Sequence, residues 1–303
     1  MSTLILLSRN ADQYRTLLEA AHLPGLEIVT SPADECSIAF GEPDLIRDAL
    51  PLLPGLKWAQ ATWAGVEPLL APALRRDYML TNARGVFGPL MSEYVFGYLL
   101  LHERKILQRL ANQREHRWDR TLTGLLRGKT LGLLGVGSIG AHLASTAKHF
   151  GMTVHGFTQG SESCPDVDHY SHAELPAFAA ALDYLVCVLP NTPATKQLVN
   201  ASVLAALPAH ALLINVGRGT AVDGETLAAA LRAGRLAGAV LDVFEEEPLP
   251  ADHFFWDTPN LLITSHTAAP SFPEDIVRVF IENYHLYRSR EALKYRVDFE
   301  RGY

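Results

Sequence analysis

The chain is short of cysteine, of positive charge and of long apolar runs, and each shortage counts against a class of protein. Its 303 residues include 3 cysteines, Cys36, Cys164 and Cys187, with no CxxC spacing and no Cys/His cluster. That argues against a disulfide framework or a metal centre and for free thiols in a reducing, cytoplasmic setting. Lysine and arginine number 26 against 33 acids, a net charge of -7, and no basic stripe stands out, so nucleic acid is not an expected partner. No apolar run approaches the ~20 residues that cross a bilayer, so no membrane span is expected. The first seven residues are apolar but carry no basic leader and no small-residue cleavage site. They read as a first strand, not a targeting segment. What is present is 48% hydrophobic residues over a length that supports one large or two medium cores.

Strand-like and helix-like pieces alternate from the start, the pattern of parallel βαβ units. The apolar run at 4–7 and the short segments at 38–40 and 58–60 read as strands, and 11–22 has helical spacing before Pro24-Gly25. Between Ser92 and Arg117 there is no proline and one glycine, Gly97. Val95, Leu99, Ile106 and Leu110 recur at helical spacing, which predicts one long helix bridging two domains. Beyond it, apolar strands are expected at 129–134, 153–157, 184–189, 211–216, 238–243 and 261–264, with helices between them. These make a second doubly wound sheet. The helical stretch 273–287 is expected to cross back to the first domain.

Gly135-Val136-Gly137-Ser138-Ile139-Gly140 joins a predicted strand to a predicted helix, the setting in which such spacing binds a dinucleotide. Gly135 permits the turn, Gly137 admits the pyrophosphate and Gly140 permits close helix–sheet contact. The helix N-terminus supplies N–H groups and positive potential. An acid commonly ends the next strand and holds the ribose 2′-hydroxyl of NAD. Here that end reads Phe157-Thr158-Gln159-Gly160-Ser161, with no carboxylate before Glu162 and no arginine. Thr158, Gln159 and Ser161 offer neutral donors. The absence of an acid favours NADP; NAD stays open if Glu162 curls back.

Three later phrases sit at predicted strand ends, where ligands bind in this architecture. Asn215-Val216-Gly217-Arg218-Gly219 presents a guanidinium whose planar fork matches a carboxylate. Glu245-Glu246-Glu247-Pro248 follows Leu241-Asp242-Val243-Phe244. His266 follows the strand at 261–264, with Ala268-Ala269 after it.

With His116-x-Trp118 and Leu189-Pro190-Asn191-Thr192-Pro193-x-Thr195, these phrases resemble those of the D-isomer-specific 2-hydroxyacid dehydrogenase family, nearest its glyoxylate/hydroxypyruvate reductase branch. Ala64-Gly65-Val66 and Asn82-Ala83-Arg84-Gly85 extend the likeness to nearly the whole chain. The resemblance implies two Rossmann-like, doubly wound α/β domains with a cleft between them. The smaller is discontinuous: a flavodoxin-like substrate-binding domain over 1–94 and 273–303, with the dinucleotide domain over 95–272. It implies a homodimer and a small 2-oxo acid as substrate. Arg218, Glu247 and His266 become the catalytic residues. Ala64 and Gly65, with Trp63 and Arg218, become the substrate contacts. NADP or NAD would lie against Gly135, Gly137, Ser138, Ile139, Gly140, Thr158, Gln159, Pro190, Thr195, Val216, Gly217, Asp242 and Ala268.

The chemistry agrees. Reduction of a ketone builds negative charge on oxygen, which an imidazolium quenches by proton transfer. A carboxylate beside that imidazole favours its charged form and keeps the donor loaded. The chain departs from the family's pattern at Ser265, at the missing second-strand acid and at Trp63, which would narrow the pocket. Two other functions share the fold: a dinucleotide-sensing corepressor or scaffold, and a 3-phosphoglycerate dehydrogenase-like enzyme.

Overall fold

The computed structural model describes residues 1–159, 162–172 and 174–303. Two units divide the chain, Met1–Val86 with Ser271–Tyr303, and Phe87–Pro270. The boundaries fall at 86/87 and 270/271, where the sequence suggested 94/95 and 272/273, because the first helix of the second unit begins earlier than its apolar spacing indicates.

The first unit contains β1 (Ser2–Leu7), α1 (Ala11–Ala20), β2 (Leu26–Val29), β3 (Cys36–Gly41), α2 (Pro43–Ala49), β4 (Trp58–Ala61) and β5 (Met79–Thr81). The strands form one parallel sheet in the order β2-β1-β3-β4-β5, the flavodoxin-like order. One face packs Ile5, Ala39, Ala59 and Leu80 around Ile46 and Leu53. The other face carries aromatics that meet the helix Pro273–Ser289: Trp58 stacks on Phe280 with centroids 5.1 Å apart. Phe40 meets the same ring edge-on. The late helix thus does return to the first unit, and it buries Ile276, Phe280 and Tyr284 there.

The second unit opens with α3 (Gly88–Glu103) and α4 (Ile106–Arg114), then β6 (Thr130–Leu134), α5 (Ser138–His149), β7 (Thr153–Phe157) and β8 (His169–Ser171). It continues with α6 (Leu175–Ala179), β9 (Tyr184–Cys187), α7 (Ala201–Ala206), β10 (Leu212–Asn215), α8 (Gly224–Arg232), β11 (Gly238–Leu241) and β12 (Leu261–Ile263). Among the described residues its strands number seven, all parallel, ordered β12-β11-β10-β9-β6-β7-β8. Strand direction of growth reverses between β6 and β9, the topological switch of a Rossmann sheet. β9, β10 and β11 are buried at every position, as continuous apolar runs require. Asn200 and Asp223 cap α7 and α8 by accepting N–H bonds from the first turn.

The single long helix expected over 92–117 is two helices. Lys105 between them takes a left-handed φ of 50°. The returning chain explains the break: Gly124 N donates to Glu103 O, and the Glu103 carboxylate accepts from Tyr184 Oη of β9. These bonds fix the end of α3.

Candidate active site

Five neighbouring strands of the second sheet, β12-β11-β10-β9-β6, end at one edge, so the loops leaving them lie side by side. The loop after β6 carries Gly135, that after β9 Pro190, that after β10 Arg218. Those after β11 and β12 carry Asp242 with Glu247, and His266. Backbone bonds stitch the exits together: Val188 N to Leu134 O, Val216 N to Cys187 O, Asp242 N to Asn215 O and Thr264 N to Leu241 O.

The glycine turn has the shape a pyrophosphate needs. Gly135 takes a φ of +95°, which side chains rarely adopt. A Cβ on Gly140 would lie 2.3 Å from the Gly135 carbonyl oxygen, so helix and turn meet only through a glycine. A Cβ on Gly137 would touch nothing within 4 Å, so that side of the turn is open, and Ser138 and Ile139 begin α5 beside it. The N–H groups of that first turn are the donors a phosphate would take. The residues present therefore fit a dinucleotide. On the neighbouring loop, Thr195 Oγ1 donates to Pro190 O at 2.6 Å and closes the 190–195 turn. Beneath it, burial pushes the Cys187 thiol up to about 12, so this cysteine stays protonated as apolar filling.

Arg218, Glu247 and His266 come from three adjacent strand ends. His266 Nδ1 lies 2.7 Å from Glu247 Oε2. The other Glu247 oxygen accepts from Phe244 N at 2.8 Å, so the carboxylate is held from both sides. A carboxylate only accepts, so Nδ1 carries hydrogen and Nε2 is the end turned to other chemistry. The Arg218 loop reaches the glutamate loop through Gly219, where a Cβ would lie 1.9 Å from the Phe244 carbonyl carbon. Arg218 Nη1 donates to Gly217 O, and Asn215 holds the loop by donating from Nδ2 to Arg218 O and accepting from Gly217 N.

Asp242 is buried at 1% exposure, and its carboxylate accepts from Thr264 Oγ1, Thr267 N and Ala268 N. Its backbone oxygen accepts from His266 N at 2.7 Å. Asp242 is thus the anchor of the histidine loop. Tyr94 on α3 extends the chain, with Oη 2.6 Å from Thr264 Oγ1, and burial pushes its phenol above the usual range. Asn215, Thr264 and Tyr94 were not singled out in the sequence. Their partners are distant in the chain, except that Asn215 sits within the Arg218 phrase.

At the end of β7, Thr158 is buried and Gln159 exposed, while Ser161 lies outside the described residues. Glu162, the acid that could have held a ribose, bonds the His172 ring. In the first unit, Trp63, Ala64 and Gly65 follow β4, and Asn82 Nδ2 donates to Ala64 O at 2.7 Å and shapes that loop. Trp63 is partly exposed. Among the described residues, no helix is long and apolar enough to cross a membrane, and no group of three or more His, Cys, Asp or Glu is placed to hold a metal ion.

A helix N-terminus at the switch point suits a dinucleotide, and an ion-paired imidazole on a neighbouring strand end suits proton transfer. Together they define a nicotinamide-dependent oxidoreductase. Residues 96–268 match the family model "D-isomer specific 2-hydroxyacid dehydrogenase, NAD binding domain". The chain belongs to the D-isomer-specific 2-hydroxyacid dehydrogenase family. It is 34% identical over 214 residues to a glyoxylate/hydroxypyruvate reductase A of Yersinia enterocolitica, covering 70% of this chain and 68% of that protein. A crystal structure of a family member from Aeromonas salmonicida superposes with a TM-score of 0.91 at 43% identity, covering 98% of this chain and 99% of the other. An NADPH-dependent glyoxylate/hydroxypyruvate reductase from Sinorhizobium meliloti, solved with NADP and sulfate, gives 0.89 at 28% identity over 100% of both chains.

Proposed function

We propose that this protein reduces small 2-oxo acids of the glyoxylate and hydroxypyruvate kind to D-2-hydroxy acids, using NADPH in preference to NADH. The observation that carries the reading is the His266–Glu247 pair, 2.7 Å apart at the strand ends beside Arg218. A reduced nicotinamide bound at this edge supplies the hydride. The residues do the rest. Arg218 binds the substrate carboxylate with its planar fork and polarises its carbonyl. His266 gives the proton on Nε2 to the substrate oxygen, and Glu247 stabilises the ring while that proton is loaded. Asp242 keeps the histidine loop in place. The named reductases among the relatives support the substrate class, and the NADP-bound relative supports the cofactor. Purified protein is expected to oxidise NADPH faster than NADH when given glyoxylate or hydroxypyruvate. Consumption of neither nucleotide across a panel of 2-oxo acids would refute the reading.

We further propose a cytoplasmic homodimer. Its three cysteines are free. Ile106, Leu107 and Leu110 on α4, with Trp118, Leu122 and Leu125 after it, expose large apolar side chains within 20 residues. A second copy of the chain would cover them. Light scattering should give a mass near twice 33.2 kDa, and a single-chain mass would contradict the dimer.

A further inference from the structure

The end of β7, where the ribose 2′ position of a dinucleotide falls in this architecture, is joined to a basic side chain that the motifs did not include. Between Thr158 and His172 the sequence holds no lysine or arginine; His169 and His172 are its only basic residues. His169 sets its ring edge-on to His155 of β7, with centroids 5.0 Å apart. His172 reaches back to the strand end. Its Nδ1 lies 2.7 Å from the Thr158 carbonyl oxygen, and its Nε2 bonds the Glu162 carboxylate.

A carbonyl and a carboxylate can only accept. Both ring nitrogens therefore carry hydrogen, and a ring bonded this way is an imidazolium. The Glu162 carboxylate first, then the Thr158 carbonyl, hold the ring's pKa above its usual value.

We propose that His172 sets the choice between NADPH and NADH by neutralising Glu162. The inference rests on the reading of this unit as a nicotinamide-dinucleotide site. A carboxylate near the end of the second strand attracts a ribose 2′-hydroxyl and repels a 2′-phosphate. Glu162 is the first acid after β7 and stands in that position along the chain. Bound to an imidazolium, the pair is electrically neutral. Repulsion of the 2′-phosphate is lifted, and the carboxylate is drawn to the ring instead of to a ribose hydroxyl. Arginine commonly accommodates the 2′-phosphate in NADP sites; here a histidine just after the neighbouring strand acts on the acid itself.

The test is direct binding to the whole protein, measured by calorimetric titration with NADPH, NADH and the fragments 2′,5′-ADP and 5′-AMP. His172→Ala is expected to weaken NADPH and 2′,5′-ADP about fivefold while NADH and 5′-AMP bind as tightly as before or more tightly, the scale of one exposed charge interaction. The double variant His172→Ala with Glu162→Gln is expected to regain the wild-type ratio, because the charge to be neutralised is gone. An unchanged ratio in the single variant overturns the proposal. So does a double variant as weak as the single one, since His172 would then act on the phosphate and not through Glu162. NADH binding in each variant shows that the site is folded. Wild-type protein that binds neither nucleotide would instead strike the dinucleotide reading beneath it.

Discussion

His266 owes its orientation to two carboxylates with different tasks. Glu247 takes Nδ1, while Asp242 accepts from Thr264 Oγ1 before the histidine and from Thr267 N and Ala268 N after it, and so secures the chain on either side. The histidine itself sits at a left-handed φ of 55°, uncommon for a residue with a Cβ, and the loop bonds to Asp242 hold it there. Arg218, Glu247 and His266 were legible because each stands in a phrase of fixed local form. The bonds among the loops were not, because Asp242 and its donors lie 22 to 26 residues apart and Tyr94 lies 170 from Thr264. A partly buried acid shows the same limit. Asp183 ties the start of β9 to β6 by accepting from Thr130 N and Lys129 Nζ, and His210 Nε2 lies 3.0 Å from it. Burial pushes its carboxyl up, but the N–H of Thr130, the Lys129 ammonium and His210 together outweigh that and leave it below its usual range. A carboxyl lowered by folding stabilises fully above its unfolded value near ~4, and that stability is lost as pH falls through the lower folded value. Asp183→Asn is expected to cost about 1–2 kcal/mol at pH 7 and to flatten the fall of Tm below about pH 4. Thermal melts across pH check this, and a variant melting like the wild type at every pH contradicts it.

Among the elements, legibility followed burial. The runs that became β9, β10 and β11 are apolar but for Asn215 at the end of β10, as strands covered on both faces require. β2, β5 and β8 escaped notice. They are three or four residues long at sheet edges, and β2 and β8 are only half-buried, so composition marks them weakly. The break between α3 and α4 escaped for another reason. No proline or glycine marks it; it is imposed by the segment around Thr121 and Gly124, which bonds Arg109 and Glu103 from the side. Helix propensity alone carries no trace of such a contact. The glycine turn was legible in full, because strand, turn and helix N-terminus are contiguous in the chain.

Across the whole molecule, alternating strands and helices announced two parallel sheets, while the order of strands within each could not be read from spacing. The order is what places the chemistry. Running β12-β11-β10-β9-β6, it brings the exits bearing His266, Glu247, Arg218, Pro190 and Gly135 into one row along a single sheet edge. That row is the basis for assigning proton transfer and dinucleotide binding to the same place. Its most direct test is His266→Ala, with glyoxylate turnover and NADPH affinity measured on the same preparation. Loss of a positioned general acid should lower kcat by roughly 10² to 10⁴ while NADPH binds as in the wild type. Turnover within a few-fold of the wild type, with NADPH still bound, would contradict the role given to the histidine.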